Sequence, residues 1–324
     1  MRIAVDVMGS DRGPAEIVAG ALAALKKHRD LELLLVGDQI LIGDALDEHR
    51  ASRRKRARIE IQHASQVIEM HDKLEALRRK PDSSLALAVE SVRAGRAEAL
   101  VEVGNTVATV GMTKFRLGTL DGVPRAGIAV PMPSLSGPCV IIDAGANTKP
   151  QPRHLAVYGV MAARYAEHVL GRSNPRVGLL NVGGEHGKGN DFLRKSYDLL
   201  REMPVNFVGN VEGGDVWRGN CAVVVCDGFV GNAVLKSAEG LASMFLQLLR
   251  EELGKGPFVK FGAALCHKAF KSVRTRTDYS TYGGAPLLGL KGNVIIGHGR
   301  SDATAISNAI RVARECLVSG LNGA

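Results

Sequence analysis

The chain has 324 residues and carries 42 Lys and Arg against 33 Asp and Glu, a formal net charge of +9. At 45% hydrophobic residues it is too apolar for a disordered chain, and its length suits one large α/β unit or two smaller ones. No run is long and apolar enough to span a bilayer, and the five cysteines (Cys139, Cys221, Cys226, Cys266, Cys316) include no C-x-x-C pair, which argues for a reduced, cytoplasmic setting without structural zinc.

Short apolar runs alternate with helix-period segments. Ile3–Val7 reads as a first strand and not as a signal peptide, because Asp6 interrupts it. A helix follows from about Ala15 to Lys27, then strands at Leu31–Val36 and Ile59–His63. Ser83–Ala94 has helix period, Ala99–Val103 is a strand, and Val107–Leu117 resumes the helix period. Gly127–Val130 and Val140–Asp143 are strands, His154–Val169 a helix and Val177–Val182 a strand. Phe192–Glu202 is helical, and Asn206–Val208 and Ala222–Cys226 are strands. A long helix runs from about Gly231, and a strand at Val294–Gly297 precedes a closing helix at Asp302–Val318. Strands that are apolar on both faces and alternate with helices predict a mostly parallel sheet between two helical layers, a three-layer α/β/α unit. No repeat, linker or composition shift marks a boundary, so residues 1–324 are expected to form a single domain.

Polar residues concentrate where strands end. The clusters are Asp6 to Asp11, Gly104-Asn105-Thr106, Asp143 to Asn147, Asn181 to Asn190, Gly209 to Gly213 and Asp227 to Asn232. Each alone is ordinary turn and cap chemistry. Together they predict one shared crevice, because ligands of open α/β sheets bind at the carboxyl ends of strands. Gly187-Lys188-Gly189-Asn190 lacks the spacing of a P-loop, yet a lysine between glycines can face a phosphate while backbone N–H groups cradle it. No G-x-G-x-x-G, no G-x-S-x-G and no metal-spaced histidine pair occurs, so neither a dinucleotide, a serine triad nor a metal is indicated. His186 and His298 lie in glycine-rich clusters, where a hydrogen-bonded turn residue competes with a catalyst.

The positive charge is uneven. The run from Arg53 to Arg58 reads as a solvated helix end. At 100° per residue, Phe258 to Arg274 places Lys260, His267, Lys271 and Arg274 opposite Phe258, Leu265, Ala269 and Val273, with Phe261 beside the apolar side and Lys268 adding to the charge. Such a helix suits an anionic membrane, an acidic helix, or packing against the core or a second copy. With 4% aromatic residues and no recognition motif, nucleic acid is not an expected partner.

These segments are similar to those of the PlsX family, the acyl-ACP:phosphate acyltransferases of bacterial phospholipid synthesis. The resemblance rests on RIAVDVMGSDRGP, KPDSSLALAVE, VGNT, DAGAN, PRVGLLNVGGEHGKGN, NFVGNVEG, VVVCDGFVGNAVLKSAEG, DYSTYGGAPLLGLKG and HGRSDA, in the family's order from residue 1 to about 310. Ser10 and Arg12 stand where the family usually has glycine and histidine, Val107 and Thr109 stand in a usual GNTGA, and Lys73 and Leu74 replace a common acid and proline. A β-branched Val107 would narrow that pocket or require φ < 0.

The resemblance implies an α/β/α fold related to isocitrate/isopropylmalate dehydrogenases and phosphotransacetylases, with the basic segment at about 240–278 projecting. It implies a homodimer without a cofactor, cytoplasmic and peripherally membrane-associated. Its substrates would be acylated acyl carrier protein and inorganic phosphate, and its acyl phosphate would pass to a membrane glycerol-3-phosphate acyltransferase. Residue by residue, the family's catalytic lysine falls on Lys188 and its asparagine on Asn232. Asn105 and Thr106 would join backbone N–H groups in a phosphate cradle, and Asp227 and Glu212 would orient donors. The remaining substrate-binding candidates are Asp6, Gly9, Ser10, Asp143, Asn147, Glu185, His186, Asn210, Gly228, Gly231, Gly283 and Gly284. Phe258, Lys260, Phe261, Leu265, Lys268, Lys271 and Arg274 are the candidates for membrane or carrier contact. The chemistry suits this inventory: phosphate is already ionised near neutral pH, and a thiolate leaving group, with a thiol pKa of about 8.5, needs little acid help. Two alternatives remain: a phosphotransacetylase acting on acyl-CoA, and a scaffold that has lost catalysis.

Overall fold

A computed structural model describes residues 1–73, 75–277 and 283–321, with residues 274–277 described by their backbone alone. The elements in chain order are β1 (Arg2–Asp6), α1 (Pro14–Lys27), β2 (Glu32–Gly37), α2 (Gln39–Glu48), α3 (Arg53–Arg56), β3 (Ile59–His63), α4 (Ala76–Arg79) and α5 (Ser84–Arg93). There follow β4 (Ala99–Glu102), α6 (Thr106–Arg116), β5 (Gly127–Met132), β6 (Cys139–Ile142), α7 (Pro152–His168), β7 (Arg176–Leu180) and α8 (Asp191–Glu202). The remainder is β8 (Asn206–Val211), α9 (Gly213–Arg218), β9 (Val223–Val225), α10 (Gly228–Leu253), α11 (Pro257–Leu265), α12 (His267–Thr277), β10 (Ala285–Leu288), β11 (Asn293–Ile296) and α13 (Ala303–Val318).

The strand-end Asn and Asp residues start many of these helices. Asp38, Asn105, Asn190, Asp227 and Asp302 each accept an N–H from the first turn of the following helix. A helix leaves its first N–H groups without intrahelical partners, and these side chains satisfy them. Alternate residues of β1 and β2 then bury on opposite faces. Ile3, Val5, Leu33 and Leu35 join one core with α1, α7 and α13, while Ala4, Leu34 and Val36 join a second with α5 and α6. A third cluster sits under α10, where Val234, Leu235 and Ala238 pack on Ile141, Val224 and Cys226. The sheet is therefore covered on both sides, as the apolar runs predict.

The eleven strands lie in the order β3-β2-β1-β4-β11-β10-β5-β6-β9-β7-β8. One block, β3-β2-β1-β4-β11, is parallel throughout, and so is β6-β9-β7-β8. The joints β11–β10, β10–β5 and β5–β6 are antiparallel, so the two blocks run in opposite directions. This modifies the expectation of one row of strand ends. The carboxyl ends form two groups, one after β1, β4 and β11, the other after β6, β9, β7 and β8. The four residues of β10 separate them at the centre, roughly 13 Å at about 3.3 Å per residue.

α10 leaves this body. Of its 26 residues only Gly228 and Gly231 are buried, and Leu241, Met244, Phe245 and Leu248 are exposed. The expected single helix over Phe258–Arg274 is two helices. α11 begins with Pro257 after Gly256 at φ 79° and ends at Cys266, whose ψ of 5° lies off the helical value, and α12 starts beyond it. One helical wheel therefore does not run through Cys266. Phe258, Lys260, Phe261, Leu265 and Lys268 are exposed, as is the side chain of Lys271. The side chain of Arg274 lies outside the described residues. No helix among the described residues is long and apolar enough to cross a membrane.

Candidate functional site

The helical layer has a gap over the centre of the sheet. α5 and α6 cover the first block and α10 covers the second, leaving β5 and the ends of β10 and β11 as a floor. The result is an open cleft of about 920 Å³. Its floor is apolar, with Ile128, Val130, Ala144, Ala285 and Ile296. One wall is the first turn of α6 with Thr106 and Val107, and the other is α10 with Asn232, Leu235, Lys236, Glu239 and Ser243. The turn after β11, from Gly297 to Asp302, closes one end beside Arg12.

Beneath this rim the backbones of the turns after β1 and β4 come very close. A Cβ added at Gly9 would lie 3.0 Å from the Gly104 Cα and 2.7 Å from Glu102 Oε1. Glu102 is buried, and its Oε1 accepts the Gly104 N–H at 2.6 Å. Asp6, also buried, accepts the Met8 N–H at 2.8 Å. Burial holds the Glu102 carboxyl well above the usual range, with the charge of Asp6 adding to the effect, and burial raises Asp6 as well. Two buried carboxyls side by side retain a proton between them. Asp6 and Gly9 thus support the cleft from below. Ser10 ties the two ends of the chain together, donating from Oγ to the Gly299 carbonyl at 3.1 Å.

Asp143 organises the other side. It accepts N–H groups from Ile128, Gly145, Ala146 and Asn147 at 2.7–3.1 Å, while burial pushes its carboxyl upward. Asn147 donates to the Ala126 carbonyl and to the Tyr158 hydroxyl. α10 starts against this loop. The Gly228 N–H donates to the Asn147 carbonyl, and a Cβ at Gly231 would stand 2.0 Å from the Asp143 carbonyl oxygen. This contact brings Asn232 to within 3.8 Å of a Cβ built on Gly145. Gly283 and Gly284 line the cleft, and each also excludes a side chain by packing on α13 or β11.

Other expected residues lie elsewhere. Asn105 is turned away from the cleft: its Oδ1 caps α6, and its Nδ2 donates to the carbonyls of Glu69, Met70 and Asp72. Glu185, His186 and Lys188 are in the exposed loop after β7 and do not line the cleft. That loop is held by the Asn181 Nδ2 donating to the Lys188 carbonyl, by the Asn210 Nδ2 donating to the Glu185 carbonyl, and by His186 edge-on to Tyr197 at 4.7 Å. Glu212 precedes α9, its backbone N–H donating to Asp215. Asp227 caps α10.

Sequence reasoning missed Lys236, Glu239, Arg12 and Arg300 as cleft residues. One signal was available: Asn232, Lys236, Glu239 and Ser243 recur at i, i+4, i+7 and i+11, one face of a helix. Burial pushes the thiols of Cys139 and Cys316 to about 12, too high for a nucleophile at neutral pH. Among the described residues no group of three or more His, Cys, Asp or Glu is placed to hold a metal ion.

Comparisons with known proteins identify the family and the fold. The sequence matches the family described as fatty acid synthesis protein over residues 1–323. The phosphate acyltransferase of Desulfitobacterium hafniense (strain DSM 10664 / DCB-2) is 46% identical over 322 residues, 99% of this chain and 95% of that protein. The fold is similar to a phosphotransacetylase from Streptococcus pyogenes, with TM-score 0.63 at 17% identity, covering 98% of this chain and 94% of the other. It is also similar to a 4-hydroxythreonine-4-phosphate dehydrogenase from Burkholderia phymatum, with TM-score 0.51 at 16% identity and 97% of each chain covered. The near-complete coverage shows that the chain belongs to the PlsX family, the fatty acid synthesis proteins whose curated relatives are named phosphate acyltransferase.

Proposed function

We propose that this acyltransferase moves a long-chain fatty acyl group from acyl carrier protein to inorganic phosphate, giving an acyl phosphate for phospholipid synthesis. The observation that carries this reading is the composition of the cleft: an apolar floor suited to an acyl chain meets glycine turns and the cations Lys236, Arg12 and Arg300, suited to an anion. The phosphate oxygen attacks the thioester carbonyl carbon, and the C–S bond breaks. Such a reaction needs two reactants held together and donors for the oxyanion. Asn232 donates to that oxyanion from the wall of the cleft. Lys188 lies in the exposed loop after β7, outside the cleft wall, and β7 lies beside β9, which leads into α10. It steers phosphate toward the cleft. The other turn residues set the backbone donors: Asp6, Asp143, Asn147, Asn210, Glu212 and Asp227 through their hydrogen bonds, and Gly9, Gly228 and Gly231 through close packing.

The uncovered apolar row on α10 supports a homodimer, because contiguous exposed apolar surface marks an interface. The tip formed by α11 and α12, with Phe258 and Phe261 beside Lys260 and Lys268, supports contact with a membrane surface or with the acidic carrier. Leu241→Glu with Phe245→Glu is expected to convert a dimer to a monomer by sedimentation. An unchanged sedimentation coefficient would remove this reading of α10.

The activity test is phosphate-dependent release of free thiol from long-chain acyl carrier protein. Release that requires phosphate and collapses in Lys188→Ala supports the proposal. Release from acyl-CoA but not from the carrier would assign a phosphotransacetylase instead. No release from either donor would favour a scaffold.

A further inference from the structure

The two walls of the cleft differ in chemistry. The α10 wall presents Asn232, Lys236, Glu239 and Ser243, a polar row roughly 16 Å long at 1.5 Å per residue. The opposite wall presents Met70 and Val107, which are 45% and 62% exposed. Among the described residues that line the cleft, these two are the large apolar side chains left exposed. The floor residues Ile128 and Ile296 are buried.

Met70 and Val107 are far apart in sequence, yet Asn105 fixes both. Its Oδ1 accepts the Ala108 N–H at 2.9 Å, which sets the first turn of α6. Its Nδ2 donates to the Met70 carbonyl at 3.1 Å, and to the carbonyls of Glu69 and Asp72 on either side. Asp72 is itself anchored, pairing with Lys80 at 2.6 Å. Val107 lies within the helix, so its isopropyl group narrows the cleft, and a β-branched side chain in a helix keeps one strongly preferred rotamer. Met70 extends over the turn after β11, where a Cβ built on Gly299 would collide with its methyl group. The result is a fixed apolar edge facing a polar wall. Covering such side chains with an apolar ligand is favourable, and the polar row of α10 does not cover them.

We propose that Met70 and Val107 form the chain-selecting edge of the site. The alkyl chain of the acyl donor lies in the angle between the apolar floor and this edge, and the α10 wall is left to the thioester carbonyl and the phosphate. This rests on the reading of the cleft as the site of acyl transfer to phosphate. A long chain covers both residues, and a chain of a few carbons covers neither. The edge touches no atom whose charge changes in the reaction, so it holds the chain equally in the ground state and the transition state. It therefore sets which donor is used through KM and leaves kcat alone. Asn105 is a positioning residue that acts through the edge.

The test removes apolarity and keeps shape. Val107→Thr exchanges a methyl for a hydroxyl at similar helix propensity, and Met70→Gln keeps an unbranched side chain. Both positions are exposed, so both variants are expected to keep the wild-type melting temperature. Phosphate-dependent thiol release is measured at saturating phosphate with hexadecanoyl and butanoyl thioesters of acyl carrier protein. Each substitution is expected to raise KM about 10-fold for the hexadecanoyl donor at unchanged kcat, the scale of one methylene in an apolar pocket. The butanoyl donor is expected to be unaffected. An unchanged KM for the hexadecanoyl donor in both variants would overturn the edge and leave acyl transfer standing. An equal rise in KM for both donors would place these residues against the carrier protein, and would overturn the edge as well. A wild-type enzyme with no phosphate-dependent release from either donor would overturn the acyl-transfer reading itself, and the edge with it.

Discussion

The cleft and the α10–α12 arm use the same residue types in opposite ways. Around the cleft, glycines are places where the backbone cannot admit a side chain: Gly9, Gly104, Gly231 and Gly284 each sit within 3.0 Å of atoms that a Cβ would meet. On the arm, a Cβ at Gly262 would meet nothing within 4 Å. Apolar residues differ as well. Ile128, Ala144 and Ile296 in the cleft floor are buried, whereas Leu241, Phe245 and Phe258 are 64%, 59% and 90% exposed. The comparison separates two kinds of specification. The cleft is determined by this chain's own close packing and hydrogen bonds, and the arm carries an exposed apolar surface.

The largest expected effect tests the cleft. Asn232→Ala should lower kcat by about 10²–10³, the cost of losing an oxyanion donor, while the protein stays folded. Near-full activity would remove Asn232 from the chemistry.

Next come two versions of one substitution. Gly231→Ala should destabilise the fold by about 1–3 kcal/mol, because its Cβ meets the Asp143 carbonyl and neither backbone can yield cheaply. Gly262→Ala on the arm should instead stabilise by about 0.5–1 kcal/mol, because alanine restricts the unfolded chain at a helical position with open space. Thermal denaturation checks both, and changes of the same sign would contradict the division between the two regions.

The buried carboxyls give a smaller and pH-dependent effect. The folded pKa of Glu102 is raised above its usual 4.5, so the native state holds a proton that the unfolded chain gives up. The stability contributed by this group is fully present below about 4.5 and is lost as pH rises toward the raised folded pKa. Glu102→Gln cannot titrate, so its melting temperature should fall less steeply with rising pH above 4.5. Parallel melting curves for the two proteins would show that no proton is retained there.

Much of the sheet was legible because apolar runs of four to six residues ended in polar turns. Asn105 and Asp227 were visible as strand-end polar residues, but their types alone could not separate a cap from a ligand, and the structure uses both as helix caps. The reversal between the two blocks was not read. β5 and β6 are joined by a short stretch containing Pro133, Gly137 and Pro138, and Gly137 has φ 101°. That composition is a turn signal, masked by the general alternation of strands with helices. β10 has four residues and no flanking pattern of its own, so nothing local announced it. Lys236 was hidden for another reason. It sits in the middle of a helix whose apolar pattern says little about which polar side faces the ligand, and only its spacing from Asn232 places it in the cleft. Glu185, His186 and Lys188 looked like neighbours of Asn232 in the pattern of strand ends, yet the loop that carries them stands outside the cleft wall.

The central claim is that phosphate, and not water, receives the acyl group. ³¹P NMR of the protein with long-chain acyl carrier protein and inorganic phosphate tests it directly. The account predicts a new acyl phosphate resonance growing in step with the thiol released. Thiol release without any new phosphorus species would mean that the cleft delivers the acyl group to water, and would contradict it.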